Sequence, residues 1–119
     1  MTISLNISLQ SNLANETPIT ISPGSQTIVK NGIGKHLSTY VVGTAEKTIA
    51  SFGELTTEGI CLIRNTDTEN FVKLGFSTGV YGIKIKAGET FAFRLVPAVT
   101  IYAVADTAAC LTDIDVLED

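Results

Sequence analysis

The side chains able to do chemistry in this chain of 119 residues are few and widely spaced. One histidine, His36, ends the segment "KNGIGKH"; two cysteines, Cys61 in "GICLIR" and Cys110 in "AACLTD", lie inside apolar stretches. A serine or cysteine nucleophile needs a base, usually His, oriented by a third group. His36 could serve, but no Gly-x-Ser-x-Gly elbow accompanies it. "GIGK" at 32–35 has one residue between its glycines and His after the lysine, where a phosphate loop has four and then Ser or Thr. It reads as a turn.

Metal chemistry fares no better. A cupin-type centre takes several His and a Glu converging from strands, and one histidine does not supply them. No Asp-rich loop has calcium spacing. The final "DIDVLED", with Asp113, Asp115, Glu118 and Asp119, reads as a solvated acidic end. Glycoside hydrolysis needs two facing carboxylates, and nothing in the spacing of Glu46, Glu54, Glu58, Glu69 and Glu89 pairs them. A sugar-binding surface would use exposed aromatics, yet there is no Trp, and Tyr40, Tyr81 and Tyr102 fall within strand patterns. The expectation is a protein with no catalytic residues, no metal and no cofactor.

Composition narrows the partners. A net charge of −4, with eight Lys and Arg scattered along the chain, lacks the basic stripe that neutralises phosphates, so nucleic acid is not expected. No apolar run approaches the roughly 20 residues that cross a bilayer as a helix, so neither is a membrane. The start, "MTISLNISLQS", alternates instead of building a basic segment and an apolar block, and does not read as a secretory signal. The Asn-x-Ser/Thr matches at Asn6 and Asn15 therefore carry no weight. The cysteines read as small buried hydrophobes in a reducing compartment, with a disulfide as the competing reading.

Period-two alternation governs nearly every element. "TISLNISL" sets Ile3, Leu5, Ile7 and Leu9 against Thr2, Ser4, Asn6 and Ser8, one apolar and one neutral polar face. "ITIS" and "SQTIVK" follow around Pro23-Gly24, and Asn31-Gly32 reads as a hairpin turn. "LSTYVVGT" is a strand; "KTIASFG" is read as a strand, with a short helix capped by Thr44 as the competing assignment. "GICLIRN" and "NFVKLGF" flank the loop "TDTE", and "TIYAVA" and "CLTDIDVL" complete the chain. In "YGIKIKAGETFAFRL" (81–95) a hairpin is expected, turning at Ala87-Gly88-Glu89. Ile83, Ile85, Phe91 and Phe93 would fill the core, leaving Lys84, Lys86 and Arg94 to contact a partner.

Nine or ten short strands with turns every 8–12 residues imply an all-β fold, a β-sandwich or jelly roll of short antiparallel strands. The expected organisation is one domain over residues 1–119. Between Met1 and Val29 the sole charged side chain is Glu16. Edge strands normally carry charge against unwanted pairing. The first strand is therefore either central in its sheet or covered, and residues 1–12 are a candidate partner-pairing strand with Ile3, Leu5 and Ile7 at the contact.

From Gly53 onward, "GELTTEGICLIRNTDTENFVKLG", "IKIKAGETFAFRL" and "TIYAVADTAACLTDIDVLED" resemble small all-β structural proteins of tailed bacteriophage virions. The resemblance lies in a Gly-rich entry, the Arg64-Asn65-x-Asp67 turn, the Lys86-x-Gly88-Glu89 hairpin and an acidic last strand ending in Leu-Glu-Asp. It implies a role in the particle without catalysis: a capsid decoration or auxiliary head protein bound to the major capsid protein. Tail or fibre components and a small carbohydrate-binding module are the competing readings. It also implies a homo-oligomer, a trimer being natural on a symmetric shell, located in the virion and, during assembly, in the host cytoplasm.

Overall fold

A computed structural model describes residues 2–11, 14 and 17–119. Of the readings above, Asn15, Glu16 and the limits of the 1–12 segment, Met1 and Asn12, lie outside the described residues. The chain divides into two compact units, Met1–Asn31 and Gly32–Asp119. Among the described residues there is no helix, so none is long and apolar enough to cross a membrane.

The first unit is a two-stranded antiparallel ribbon of β1 (Thr2–Ser11) and β2 (Ile19–Val29). β2 runs unbroken through Pro23-Gly24, where "ITIS" and "SQTIVK" were expected as separate strands. The ladder accommodates the pair by shifting register between Ile7 and Leu9, with Gly24 at φ +86. Such bulges are where a strand tolerates Pro and Gly.

The second unit contains β3 (Lys35–Val42), β4 (Lys47–Ile49), β5 (Glu58–Asn65), β6 (Val72–Gly75), β7 (Ile83–Ile85), β8 (Thr90–Arg94), β9 (Ile101–Ala105) and β10 (Cys110–Glu118). One sheet has the order β3-β10-β5-β8 and the other β4-β9-β6-β7, every pairing antiparallel. Within this unit only β6 and β7 are consecutive and paired; every other step from β3 to β10 moves from one sheet to the other. Eight strands interleaved in this way form a jelly roll. The "KTIASFG" segment is a strand only over Lys47–Ile49, and Asn31-Gly32 joins strands of different sheets instead of closing a hairpin.

The hairpin expected at 81–95 is corrected by this topology. β7 pairs with β6, and β8 pairs with β5 in the opposite sheet. The turn between them is closed by Glu89 N–H to Lys86 C=O (3.1 Å) and Lys86 N–H to the Glu89 carboxylate (2.8 Å), with Gly88 at φ +78. Its backbone then bonds to β5: Asn65 N–H donates to Glu89 C=O at 3.0 Å and Gly88 N–H to Asn65 C=O at 2.9 Å. Alternation says which side chains share a face; it does not say which strand lies alongside. The acidic final strand is corrected too. β10 is an inner strand between β3 and β5, with Ile114 and Val116 fully buried, not a solvated end.

The core lies between the sheets. Val42, Cys61, Ile63, Cys110, Ile114 and Val116 face Ile49, Val72, Leu74, Ile85, Ile101 and Ala103, closed by Phe52 and Leu95. Ile83 and Phe93 pack partly buried against it, whereas Phe91, expected inside, is 47% exposed because β8 is an edge strand. Val116 pairs with Cys61, so Cys110 lies six residues further along β10. That is about 20 Å, far beyond the roughly 7 Å Cα limit for a disulfide. Both thiols are free, and burial pushes Cys61 up to about 12 and Cys110 up to about 11.

Candidate interaction surfaces

The ribbon's alternation has a direct consequence. Its register joins Ile3↔Ile28, Leu5↔Gln26, Leu9↔Ile21 and Ser11↔Ile19, so the aliphatic side chains of both strands except Val29 share one face. The other face pairs Thr2↔Val29, Ser4↔Thr27, Asn6↔Ser25 and Gln10↔Thr20, with Ser4 Oγ 2.9 Å from Ser25 Oγ. Neither strand carries a charged side chain. Ile3 and Leu5 are half-buried; Ile7, Leu9, Ile19 and Ile21 are exposed.

The sandwich has its own uncovered apolar surface. On the outer face of the β3-β10-β5-β8 sheet, Val41 pairs with Leu111, and Leu37, Asp115, Leu62 and Ala92 form a row across all four strands. Leu37 and Val41 are 61% and 60% exposed, with Leu111 and Leu62 also exposed. Between them Asp113 stands on β10, taking the Thr39 hydroxyl at 2.7 Å, and is paired in register with Arg64 on β5. Apolar residues on both faces of "LSTYVV" and "GICLI" are the sequence signal of strands covered on both sides. Composition-level reading passed over that signal, because it weighed each strand's inward face alone.

At one edge of the sandwich Phe76 stands between two cavities. One, about 300 Å³, is lined by Leu74, Phe76, Val80 and Ile83 among others; the second, about 290 Å³, by Phe76, Arg94, Leu95, Val96 and Val99. Phe76 meets the Phe93 ring edge to face at 6.3 Å yet remains half exposed. The 76–82 loop is held in shape by Glu46. Its carboxylate accepts from Thr78 Oγ1 (2.6 Å), Gly79 N–H (2.7 Å) and the Tyr81 hydroxyl, and these bonds hold it below the usual carboxylate range. Gly75 begins the loop where a Cβ would lie 1.8 Å from the Val80 carbonyl oxygen.

The residues expected at a partner contact scatter over these surfaces. Ile3, Leu5 and Ile7 lie on the ribbon's aliphatic face. Lys84 and Arg94 occupy strands of opposite sheets and are already engaged: the Lys84 ammonium sits 3.9 Å from the Phe71 ring centroid, and Arg94 pairs with Asp119 at 2.8 Å. Lys86 is exposed in the turn. The structure does not bring the three basic residues together.

Other polar groups serve the frame. His36 Nε2 lies 2.8 Å from the Tyr40 hydroxyl, its ring against Phe52. Asp67 caps its own turn, accepting from Glu69 N–H at 2.9 Å and Thr68 N–H, and is held down at about 2, chiefly by the Glu69 bond. Glu118 ties Gly34 N–H (2.8 Å) to the Thr56 hydroxyl (2.6 Å). Among the described residues, no three His, Cys, Asp or Glu side chains gather as metal ligands. No family model, curated protein or solved structure matches the chain.

Proposed function

We propose that this chain is a non-enzymatic structural protein of a tailed-bacteriophage virion, a decoration or auxiliary protein of the head that binds the shell. The observation that carries the reading is the outer face of the β3-β10-β5-β8 sheet. Leu37, Val41, Leu62 and Leu111 lie open there, with Asp113 and Asp115 of β10 among them, on a sandwich that has its own buried core. Water covers such a face at a cost of roughly 25 cal/mol for each Å² of apolar surface left exposed. A shell repeats one contact over many copies, so a modest gain per subunit accumulates. Jelly rolls occur in capsid proteins and also in lectins and enzymes, so the fold supports the reading without deciding it. The resemblance of residues 53–119 to virion proteins supports it as well. The major capsid protein is the partner in this reading.

Copy number tests it. In particles of the source phage, mass spectrometry against the major shell protein should find near-stoichiometric amounts, and Leu37→Asp with Leu111→Asp should abolish binding to shells lacking the protein. A handful of copies would move it to the tail or a fibre, and absence from particles would overturn the structural role. Phe76, half exposed between two apolar cavities, favours a carbohydrate-binding module as the second reading. Retention on a polysaccharide resin that Phe76→Ala abolishes would establish it.

A further inference from the structure

The chain carries two unpartnered apolar features of complementary form. One projects: toward the Ser11↔Ile19 end of the ribbon, Ile7, Leu9, Ile19 and Ile21 stand on one face at 45%, 63%, 55% and 53% exposure. The other receives: the two cavities beside Phe76, rimmed by Val80 and Val96, which are 63% and 73% exposed. We propose that the aliphatic face of the ribbon of one copy docks in the Phe76 cleft of a second copy of this chain. The inference rests on the reading of the chain as an assembling structural protein and names its first partner.

Charge selects that occupant. Neither β1 nor β2 has an ionised side chain, and the one charged residue lining the cleft, Arg94, is already held by Asp119. A charged partner would find no counter-ion on either feature; an uncharged aliphatic ribbon leaves nothing unpaired in the cleft. A copy that both gives a ribbon and receives one uses two contacts; such a head-to-tail contact closes into a ring where the rotation allows it and otherwise runs on as a filament, and a two-fold arrangement makes it a reciprocal exchange. A lone two-stranded hairpin is marginal in water, so coverage by the neighbouring copy also stabilises the ribbon itself.

The experiment uses the full chain and reads mass by light scattering at micromolar concentration. Wild type is expected as an oligomer, and Leu9→Asp and Phe76→Asp each as single chains. An equimolar mixture of the two variants should recover a species of two chains, because the intact ribbon of one fits the intact cleft of the other. Val96→Asp repeats the cleft variant at a more exposed position, with thermal unfolding confirming that each variant is folded. Asn6→Asp, on the ribbon's polar face, should keep the wild-type mass. A monomeric wild type, an oligomer indifferent to both cleft variants, or folded single variants that fail to rescue each other would overturn the contact. A monomer still abundant on particles would overturn this inference alone. An oligomer obeying the mixing test but absent from particles would overturn the virion reading alone.

Discussion

Asn65 is the residue on which most of one end of the sandwich depends. Fully buried at the end of β5, its Nδ2 donates to Asn70 C=O at 2.8 Å and Ile85 C=O at 3.2 Å, and its Oδ1 accepts from Asp67 N–H at 3.0 Å. With its backbone bonds to Gly88 and Glu89, the side chain and backbone of one residue fasten both crossovers, β5 to β6 and β7 to β8. Asn65→Ala should cost about 3 kcal/mol in denaturant melts, since several buried groups lose partners at once. Thr112 is the contrasting case: buried, with a hydroxyl that has no partner. Thr112→Val should leave stability within about 1 kcal/mol of wild type or raise it, because it removes an unmet donor. The thiols give a pH prediction. Their pKa values are raised in the folded state, so the folded chain holds the proton more tightly than the unfolded one. The associated stability is complete below the unfolded thiol pKa of about 8.5 and is lost as pH rises from there toward about 12. The melting temperature should fall over that alkaline range, less steeply in Cys61→Ala. A flat profile would mean that the thiols titrate normally.

At the scale of elements, the alternating sequence made the strands legible and left their partners hidden. "GICLIRN" and "TIYAVA" were readable because each sets a buried side chain at every second position, and "TISLNISL" because it alternates aliphatic with polar side chains. What alternation could not convey is that "IKIKAGETFAFRL" spans two sheets, since a tight turn serves a hairpin and a crossover equally well. Of the candidate surfaces, the common face of Ile3, Leu5 and Ile7 was legible from alternation, whereas the Phe76 cleft depends on a loop shaped by Glu46 from 30 residues earlier, and spacing does not encode such a pairing. Glu46→Ala should leave the core intact but release that loop, raising amide exchange over residues 76–82 and, in the oligomer test, weakening association. Because the Glu46 pKa is lowered in the folded state, its contribution is present above the unfolded carboxylate value and lost as pH falls through the folded one. Loop exchange in wild type should therefore rise in acid, below about pH 4. Unchanged exchange in Glu46→Ala would show that Gly75 and the Ser77–Val80 bridge hold the loop unaided.

For the whole molecule, the two units make separate predictions. Among the described residues, those of the buried core lie between Val42 and Val116, inside the second unit. A chain lacking residues 1–31 should melt cooperatively within a few degrees of the full chain while losing its capacity to associate; loss of the folded state would refute this division. The strand order bears on synthesis as well. β10, the last strand of the sandwich to be made, is the one that fills the gap between β3 and β5. Until it emerges from the ribosome, both strands wait with an unpaired edge toward it, and the sheet that carries Asn65 stays open. Long-range pairing of this kind is slow, with closure expected in milliseconds to seconds. A nascent chain stopped short of Cys110 is therefore a protease substrate and not a smaller version of the protein, and the sandwich comes into existence only once β10 has been made.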